Sequence, residues 1–296
     1  MKFKTKILNQ IRKLFRNNIA EKIIIFLITQ SKGHPLFEKL APNHYQYSKG
    51  AIRKCKRDGI NLVLDISDYL DHFIYFNFKD LSHNKLLSLI RPGIYFIDVG
   101  ANNGFLSMKA FIKADGNIRI YSFEPDKINF QKIAHHLEIN PEIEVHAINA
   151  ALGDSEYFVK LTMPTNDNSG GIRIINKSKN IQSDNDSIPV HTLDDYIFTD
   201  KKIERADLIK IDVEGYELKV LKGAIKTLSE FQPTLFIEWD NNNLISQENS
   251  VYELFTFLKE FNYTIYDTVS NIEITHDNLI KFENIHTDIL CIPQKN

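Results

Sequence analysis

The stretch Phe96-Ile97-Asp98-Val99-Gly100-Ala101-Asn102-Asn103-Gly104 decides the expected fold. The apolar run at residues 94–99 ends in a turn with glycines at positions 100 and 104, and a helical pattern follows at residues 105–113. A buried strand that passes through a glycine turn into a helix is the opening unit of many open α/β sheets. We therefore expect this turn at the carboxyl edge of a parallel sheet, where such folds bind their ligands.

Apolar runs alternate with helical patterns along the rest of the chain. The further strands and helices are expected at residues 118–123, 128–138, 143–148, 207–212, 217–228, 234–238 and 252–261, followed by two strands at 263–268 and 287–292. This alternation predicts a doubly wound α/β fold. The last two strands predict a mostly parallel, seven-stranded sheet with an antiparallel terminal hairpin.

Two regions lie outside this alternation. Residues 154–200 are expected to form a β-rich insertion, with strands near 157–163, 171–175 and 188–192 and a polar loop at 176–187. This insertion either frames a substrate pocket or is a hairpin at the edge of the domain. Residues 1–60 are expected to form a basic, mostly helical N-terminal extension, which leaves residues 61–296 for the domain that holds the sheet.

The net charge of −2 conceals an uneven distribution. Residues 1–60 carry 14 Lys and Arg against 3 Asp and Glu, a net +11, whereas the remainder carries 22 against 35, a net −13. Apolar residues at helical spacing among these basic residues predict a helix that packs on the domain or contacts a membrane surface. The apolar run at residues 23–28 is much shorter than the roughly 20 residues of a spanning helix. Two cysteines fit a cytoplasmic location, with or without peripheral membrane contact.

The residues around the glycine turn favour a cofactor with a positive charge over one with a pyrophosphate. Gly100 and Gly104 have the spacing G-x-x-x-G, which differs from the G-x-G-x-x-G of nicotinamide-binding proteins. The carboxylate of Asp98, directly before the turn, would repel a pyrophosphate. It can accept hydrogen bonds from the ammonium group of a bound methionine moiety.

Two further residues are expected at the same edge. Glu124 ends the second strand, 20 residues after Gly104, where a carboxylate can accept hydrogen bonds from two ribose hydroxyls. Asn149 follows the third strand and can present its amide to an adenine ring.

Three carboxylates follow the fourth and fifth strands. Asp212 ends the fourth strand, Glu214 lies in the turn after it, and Glu238 lies at the end of the fifth strand. Such carboxylates can act as a general base, orient an acceptor hydroxyl or serve as cofactor contacts. No histidine accompanies them at ligand spacing, so we expect no metal site. Lys210, on the same strand face as Asp212, is expected to form an ion pair within the sheet.

The order of these motifs resembles the FkbM family of S-adenosylmethionine-dependent methyltransferases. The matching stretches are residues 96–104, 123–126 (FEPD), 149–154 (NAALGD), 192–196 (TLDDY), 208–217 (LIKIDVEGYE), 221–224 (LKGA) and 233–238 (PTLFIE). The resemblance implies a Rossmann-like class I methyltransferase fold with S-adenosylmethionine as cofactor. It also implies that Asp98, Gly100, Asn102 and Gly104 line the methionine side of the cofactor and that Glu124 binds its ribose.

The resemblance further implies methyl transfer, most often to a hydroxyl oxygen of a sugar, glycan or natural product. The expected partner is such an acceptor and no nucleic acid is expected, whereas the oligomeric state is left open. One alternative is a non-catalytic partner that keeps the fold and docks on a membrane or a glycan-assembly complex. The other is a nicotinamide-dependent oxidoreductase, which the glycine spacing and Asp98 disfavour.

Overall fold

The computed structural model describes residues 3–162, 173–176, 187–200 and 202–294. Within these residues the chain divides into a smaller N-terminal unit that ends at Asp80 and a larger unit that begins at Leu81. The smaller unit therefore extends past residue 60, where the sequence analysis placed the end of the N-terminal extension. The reason is a β-hairpin and a helix that follow the basic helices and belong to the same compact unit.

The N-terminal unit consists of four helices and one hairpin. Its elements are α1 (Phe3–Lys13), α2 (Asn18–Gln30), α3 (Pro35–Leu40), β1 (Ile52–Arg57), β2 (Ile60–Asp65) and α4 (Tyr69–Tyr75). The strand β1 replaces part of the expected helical region because it pairs in antiparallel register with β2, whose Ile60, Leu62 and Leu64 are buried. No helix in the described part of the chain is long and apolar enough to cross a membrane.

The larger unit contains the main sheet and its helices. The elements of its first half are α5 (Leu81–Leu89), β3 (Tyr95–Val99), α6 (Phe105–Lys113), β4 (Arg119–Phe123), α7 (Lys127–Glu138), β5 (His146–Ile148), β6 (Ala151–Leu152), β7 (Tyr157–Thr162), β8 (Arg173–Asn176) and β9 (Ile188–His191). The elements of its second half are β10 (Leu208–Ile211), α8 (Glu217–Lys222), α9 (Ile225–Phe231), β11 (Thr234–Trp239), α10 (Asn241–Ser246), α11 (Val251–Glu260), β12 (Tyr263–Asp267), β13 (Glu273–Ile274) and β14 (Thr287–Pro293).

The main sheet has the order β13-β12-β14-β11-β10-β3-β4-β5. The strands from β11 to β5 are parallel, and β14 is antiparallel to both β11 and β12, so the expected Rossmann-like class I methyltransferase fold is confirmed. The sheet has eight strands rather than the expected seven. The additional strand, β13, has only two residues and pairs with β12, so it leaves no periodic pattern in the sequence. The chain reverses its direction of winding between β3 and β10, which is where open sheets bind ligands.

Apolar side chains cover both faces of this sheet. One buried cluster includes Ile209 and Ile237, and a second, beside α5 and α6, includes Phe96, Leu208 and Phe236. Side chains alternate between the faces of a strand. Asp98 and Lys210, two residues after Phe96 and Leu208, therefore lie on the α5–α6 face at the end of the hydrophobic layer.

The insertion forms a separate sheet with the order β6-β9-β7-β8, as its β-rich pattern predicted. Residues 177–186 of the expected polar loop lie outside the described residues. A hydrogen bond between the hydroxyls of Tyr157 in β7 and Tyr216 joins the insertion to the turn after β10.

The helix expected at residues 217–228 is divided into α8 and α9. The carboxylate of Asp194 accepts from the backbone N–H groups of Lys226 and Thr227, each at 2.9 Å, and so caps a new helix start.

Candidate active site

The glycine turn packs directly against the end of β10. Gly100 has a φ of +82°, and a Cβ atom there would lie only 1.9 Å from the carbonyl oxygen of Asp212. Gly104 has a φ of +77° and is the N-cap of α6. Only glycine fits these conformations without strain. The two glycines therefore let the turn pack closely against the end of β10 and lead into α6.

A buried lysine links the turn to the neighbouring strand. The Nζ of Lys210 donates to the carbonyl oxygen of Gly100 at 2.7 Å and lies 3.3 Å from Asp98 Oδ1 and 3.4 Å from Asp212 Oδ2. Burial lowers the pKa of Lys210, but the carboxylates of Asp212 and Asp98 outweigh this effect, and the pKa lies above its ordinary value. Lys210 is therefore a permanent cation, and the expected ion pair with Asp212 includes Asp98 as a second partner.

Asp98 lies behind the turn and not on its surface. Its side chain is fully buried, and its second oxygen, Oδ2, accepts from the hydroxyl of Ser107 at 2.5 Å. The Asp98 carboxylate therefore faces the ammonium group of Lys210 in the interior of the protein. A direct contact between Asp98 and a bound ammonium group stays a prediction.

The carboxyl group of Glu124 accepts hydrogen bonds from the backbone of two turns. Its Oε2 accepts from the backbone N–H of Asn102 at 2.7 Å, and its Oε1 accepts from the backbone N–H of Asp126 at 2.9 Å. Burial raises the pKa of Glu124 to about 8, although these hydrogen bonds lower it. The carboxyl group that the sequence assigned to ribose thus lies beside the glycine turn, held in one orientation.

Two asparagines at this edge have defined roles. The Nδ2 of Asn149 donates to the carbonyl oxygens of Glu124 and Pro125, at 2.8 and 3.0 Å, so its oxygen is the atom left to accept a hydrogen bond. The Oδ1 of Asn102 is buried and has no hydrogen-bond partner in the structure. A buried acceptor without a donor costs free energy, so this oxygen marks a position where a ligand donor fits.

A row of carboxylates continues from the glycine turn across the sheet. Asp212 and Glu238 directly follow the paired residues Ile211 and Ile237, and Glu238 pairs in register with Asp288 of β14. Glu238 is buried and its Oε2 has no hydrogen-bond partner. Burial and then the charges of nearby carboxylates, Asp212 first, raise its pKa well above the ordinary range. The side chain of Asp212, in contrast, is 38% exposed beside Lys210.

Glu214 lies in the turn after β10 with a φ of +54°. Its Oε2 accepts from the side-chain amide of Asn243 at 2.8 Å, and the same amide lies 3.4 Å from Glu238 Oε1. The structure thus brings Glu214 and Glu238 to one asparagine. Among the described residues, no group of three or more His, Cys, Asp or Glu side chains is arranged to hold a metal ion.

Several polar residues of this region were not predicted from the sequence. Glu217 is buried and its Oε1 accepts from the backbone N–H groups of Val213 and Gly215, at 3.1 and 3.0 Å, which fixes the turn that holds Glu214. Asp288 accepts from the hydroxyl of Ser82. His286 contacts Asp240 through Nδ1 at 2.8 Å and lies 3.8 Å from Glu238 Oε1. The register of β14 against β11 brings Asp288 and His286 here, and no local pattern indicates that register.

The part of the chain that holds this site matches a known protein family. The family model described as the methyltransferase FkbM domain matches residues 98–265, which is more than half of the chain. The chain belongs to the FkbM methyltransferase family. The matched residues begin at Asp98, contain the glycine turn, Glu124 and the carboxylates of β10 and β11, and end in β12.

The FkbM chain is also similar to individual proteins. A curated relative, Methyltransferase 1 of Beauveria bassiana strain ARSEF 2860, is 25% identical over 144 residues, which cover 44% of this chain and 57% of the relative. The chain thus spans little more than half of that relative's length.

Solved structures include the methyltransferase FkbM of Methylobacillus flagellatus KT, with 18% identity, a TM-score of 0.47 and coverage of 75% of this chain and 52% of that one. Another is M. jannaschii TYW2 in complex with AdoMet, with 11% identity, a TM-score of 0.38 and coverage of 83% and 87%.

Proposed function

We propose that this FkbM-family protein transfers a methyl group from S-adenosylmethionine to a hydroxyl oxygen of a sugar, glycan or natural-product acceptor. The proposal rests on two sets of polar atoms that lie next to each other at the same edge of the sheet. Acceptor atoms for a cofactor, on Asn102 and Glu124, surround the glycine turn. A carboxylate row that suits hydroxyl groups begins next to it at Asp212.

The residues at the turn fit S-adenosylmethionine by the chemistry of their free atoms. The unpartnered Oδ1 of Asn102 suits the methionine ammonium, which is a donor. The Glu124 carboxylate suits the ribose hydroxyls, and the oxygen of Asn149 suits the adenine amino group. Gly100 lets the turn that carries Asn102 pack directly against the end of β10, because it has no side chain.

When bound, S-adenosylmethionine supplies a methyl group that is activated by the positive charge of its sulfur. The protein's own residues then orient the acceptor and remove its proton. Asp212 is the base, since it is ionised beside Lys210 and partly exposed at the end of β10. Glu238, whose raised pKa favours its protonated form, donates a hydrogen bond to a second oxygen of the acceptor. The side-chain amide of Asn243, which also contacts Glu214, orients Glu238.

The affinity for S-adenosylmethionine is expected to fall as the pH falls below about 8, the pKa of Glu124. The ribose hydroxyls donate to the ionised carboxylate, so binding to the protonated form must release a proton. Affinity therefore weakens by up to about tenfold for each pH unit of acidification. Isothermal titration calorimetry between about pH 9 and about pH 6 measures this change.

The matched control is Glu124→Gln, which has a similar shape and no ionisable group at this position. Its affinity should be independent of this titration, and any slope that it retains comes from groups on the ligand or elsewhere. A wild-type profile with the same slope as that of Glu124→Gln would contradict the assignment.

Replacing Asp212 with asparagine is expected to lower turnover by about 10²–10⁴-fold, because asparagine cannot accept the acceptor's proton. Cofactor affinity should change by less than about tenfold, since the shape of the side chain is kept. Transfer of a labelled methyl group to a panel of sugars and polyols, compared with calorimetry of the cofactor alone, separates the two effects. The control is Asp277→Asn, at an exposed aspartate distant in sequence from the carboxylate row.

Wild-type turnover in Asp212→Asn would remove this residue from the mechanism. Tight cofactor binding without turnover on any acceptor would instead favour the non-catalytic alternative. In that case the fold would serve as a cofactor-binding partner of another protein.

A further inference from the structure

The first helix of the N-terminal unit is turned with its apolar side outward. Ile7, Ile11 and Leu14, spaced as i, i+4 and i+7 along and just beyond α1, are 42% to 74% exposed. Asn9 and Arg12, on the opposite side of the helix, are buried. An amphipathic helix in a globular protein ordinarily buries its apolar side. The orientation of α1 is therefore the reverse of what burial within this unit would favour.

Buried hydrogen bonds fix this orientation. The guanidinium of Arg12 donates from Nε to the carbonyl oxygen of Lys39 at 2.8 Å and from Nη1 to Asn9 Oδ1 at 3.1 Å. Asn9 in turn donates to the hydroxyl of Tyr45 at 3.2 Å. Rotating α1 to bury its isoleucines would leave these groups without partners, which is costly in a protein interior. The apolar face is thus held toward the outside.

The second helix also exposes apolar side chains, although its Ile24 and Ile28 are buried. Ile19, Ile23 and Phe26 of α2 have the same i, i+4, i+7 spacing and are 55% to 75% exposed. On the buried side, Glu21 forms a two-point ion pair with Arg53, with N–O distances of 2.8 and 3.0 Å. This pair is an anchor that specifies which face of α2 points inward. Both helices therefore present an apolar stripe that no described residue of the unit covers.

The charge around these stripes is almost entirely positive. Of the acidic side chains described within residues 7–60, only Asp58 is exposed, because Glu21 is buried and Glu38 is half-buried. The exposed basic residues of the same segment are Lys13, Arg16, Lys22, Lys32, Lys39, Lys49, Lys54 and Lys56. Lys22 directly precedes Ile23 in the stripe of α2. An apolar face flanked by long basic side chains is the composition of helices that lie in the interface of an anionic membrane.

We propose that α1 and α2 dock on the surface of an anionic lipid bilayer, with their apolar stripes in the acyl boundary and the flanking lysines at the lipid phosphates. Neither helix crosses the bilayer. Charge complementarity selects this partner over a second copy of the chain, because residues 1–60 carry a net +11 and two such surfaces would repel each other. The proposal is independent of methyl transfer, since it rests on the N-terminal unit alone.

The test is flotation of the full chain with vesicles of phosphatidylcholine alone and with vesicles in which part of this lipid is replaced by phosphatidylserine. The chain should float with the anionic vesicles only, and added salt should release it. The variant Ile19→Ser/Ile23→Ser should lower the bound fraction by about tenfold or more, because it removes apolar area from the stripe. These side chains are exposed, so the substitutions should not disturb folding, which circular dichroism checks.

The matched control is Ile272→Ser/Ile280→Ser, which makes the same chemical change at isoleucines of the larger unit that are 51% and 62% exposed. It should bind the anionic vesicles as the wild type does. Equal loss in both double variants, or no binding of the wild type to anionic vesicles, would overturn the proposal. So would self-association in light scattering that Ile19→Ser/Ile23→Ser abolishes, since the stripes would then be an interface between two copies.

Discussion

Replacing Lys210 with methionine is expected to lower the free energy of unfolding by about 3–5 kcal/mol. Methionine has a similar volume, so the effect comes from charge rather than from a cavity. Without the ammonium group, the fully buried Asp98 loses its counter-ion, and the carbonyl oxygen of Gly100 loses the donor that holds it at 2.7 Å. Urea unfolding followed by circular dichroism measures the loss.

A double-mutant cycle supplies the control for this prediction. Asp98→Asn removes the buried negative charge, so adding it to Lys210→Met should restore a large part of the lost stability. A change below about 1 kcal/mol in Lys210→Met would show that the pair is not a buried ion pair of this kind.

The second large effect is expected on the cofactor. Glu124→Ala should weaken S-adenosylmethionine binding by about 100-fold or more, which corresponds to about 2.7 kcal/mol at room temperature. The substitution removes the acceptor of the ribose hydroxyls, each of which contributes as a hydrogen bond to a charged group. It also removes the carboxylate that braces the backbone of Asn102 and Asp126.

The control for Glu124→Ala is Glu138→Ala, at the end of α7, where the side chain is mostly exposed and distant in sequence from the glycine turn. This variant should bind the cofactor as the wild type does. Comparable affinity of Glu124→Ala and Glu138→Ala would contradict the ribose assignment.

The main strands could be predicted because each is an apolar run that ends at a polar or glycine residue. The buried strands β3, β10 and β11 follow this pattern closely. Other strands, among them β1 and β13, could not be found in this way. The sequence of β1, Ile-Arg-Lys-Cys-Lys-Arg, has no buried side and is a strand only because β2 pairs with it. The two residues of β13 are too few to show a period.

The positions of those site residues that lie at the ends of strands could be predicted. Glu124, Asp212 and Glu238 lie at the carboxyl edge as expected, because side chains at the ends of neighbouring parallel strands meet there. The hydrogen-bond and ion-pair partners of the polar side chains could not be predicted. The burial of Asp98 against Lys210 and the orientation of the Asn149 amide depend on tertiary contacts that leave no pattern in the sequence.

The measurement that tests the central claim most directly is a pair of calorimetric titrations of the full-length wild-type chain, one with S-adenosylmethionine and one with NAD. The fold, the glycine turn and the acceptor atoms of Asn102 and Glu124 predict saturable binding of one S-adenosylmethionine per chain and much weaker or undetectable binding of NAD. Binding of NAD in preference, or no heat of binding with S-adenosylmethionine, would contradict the account.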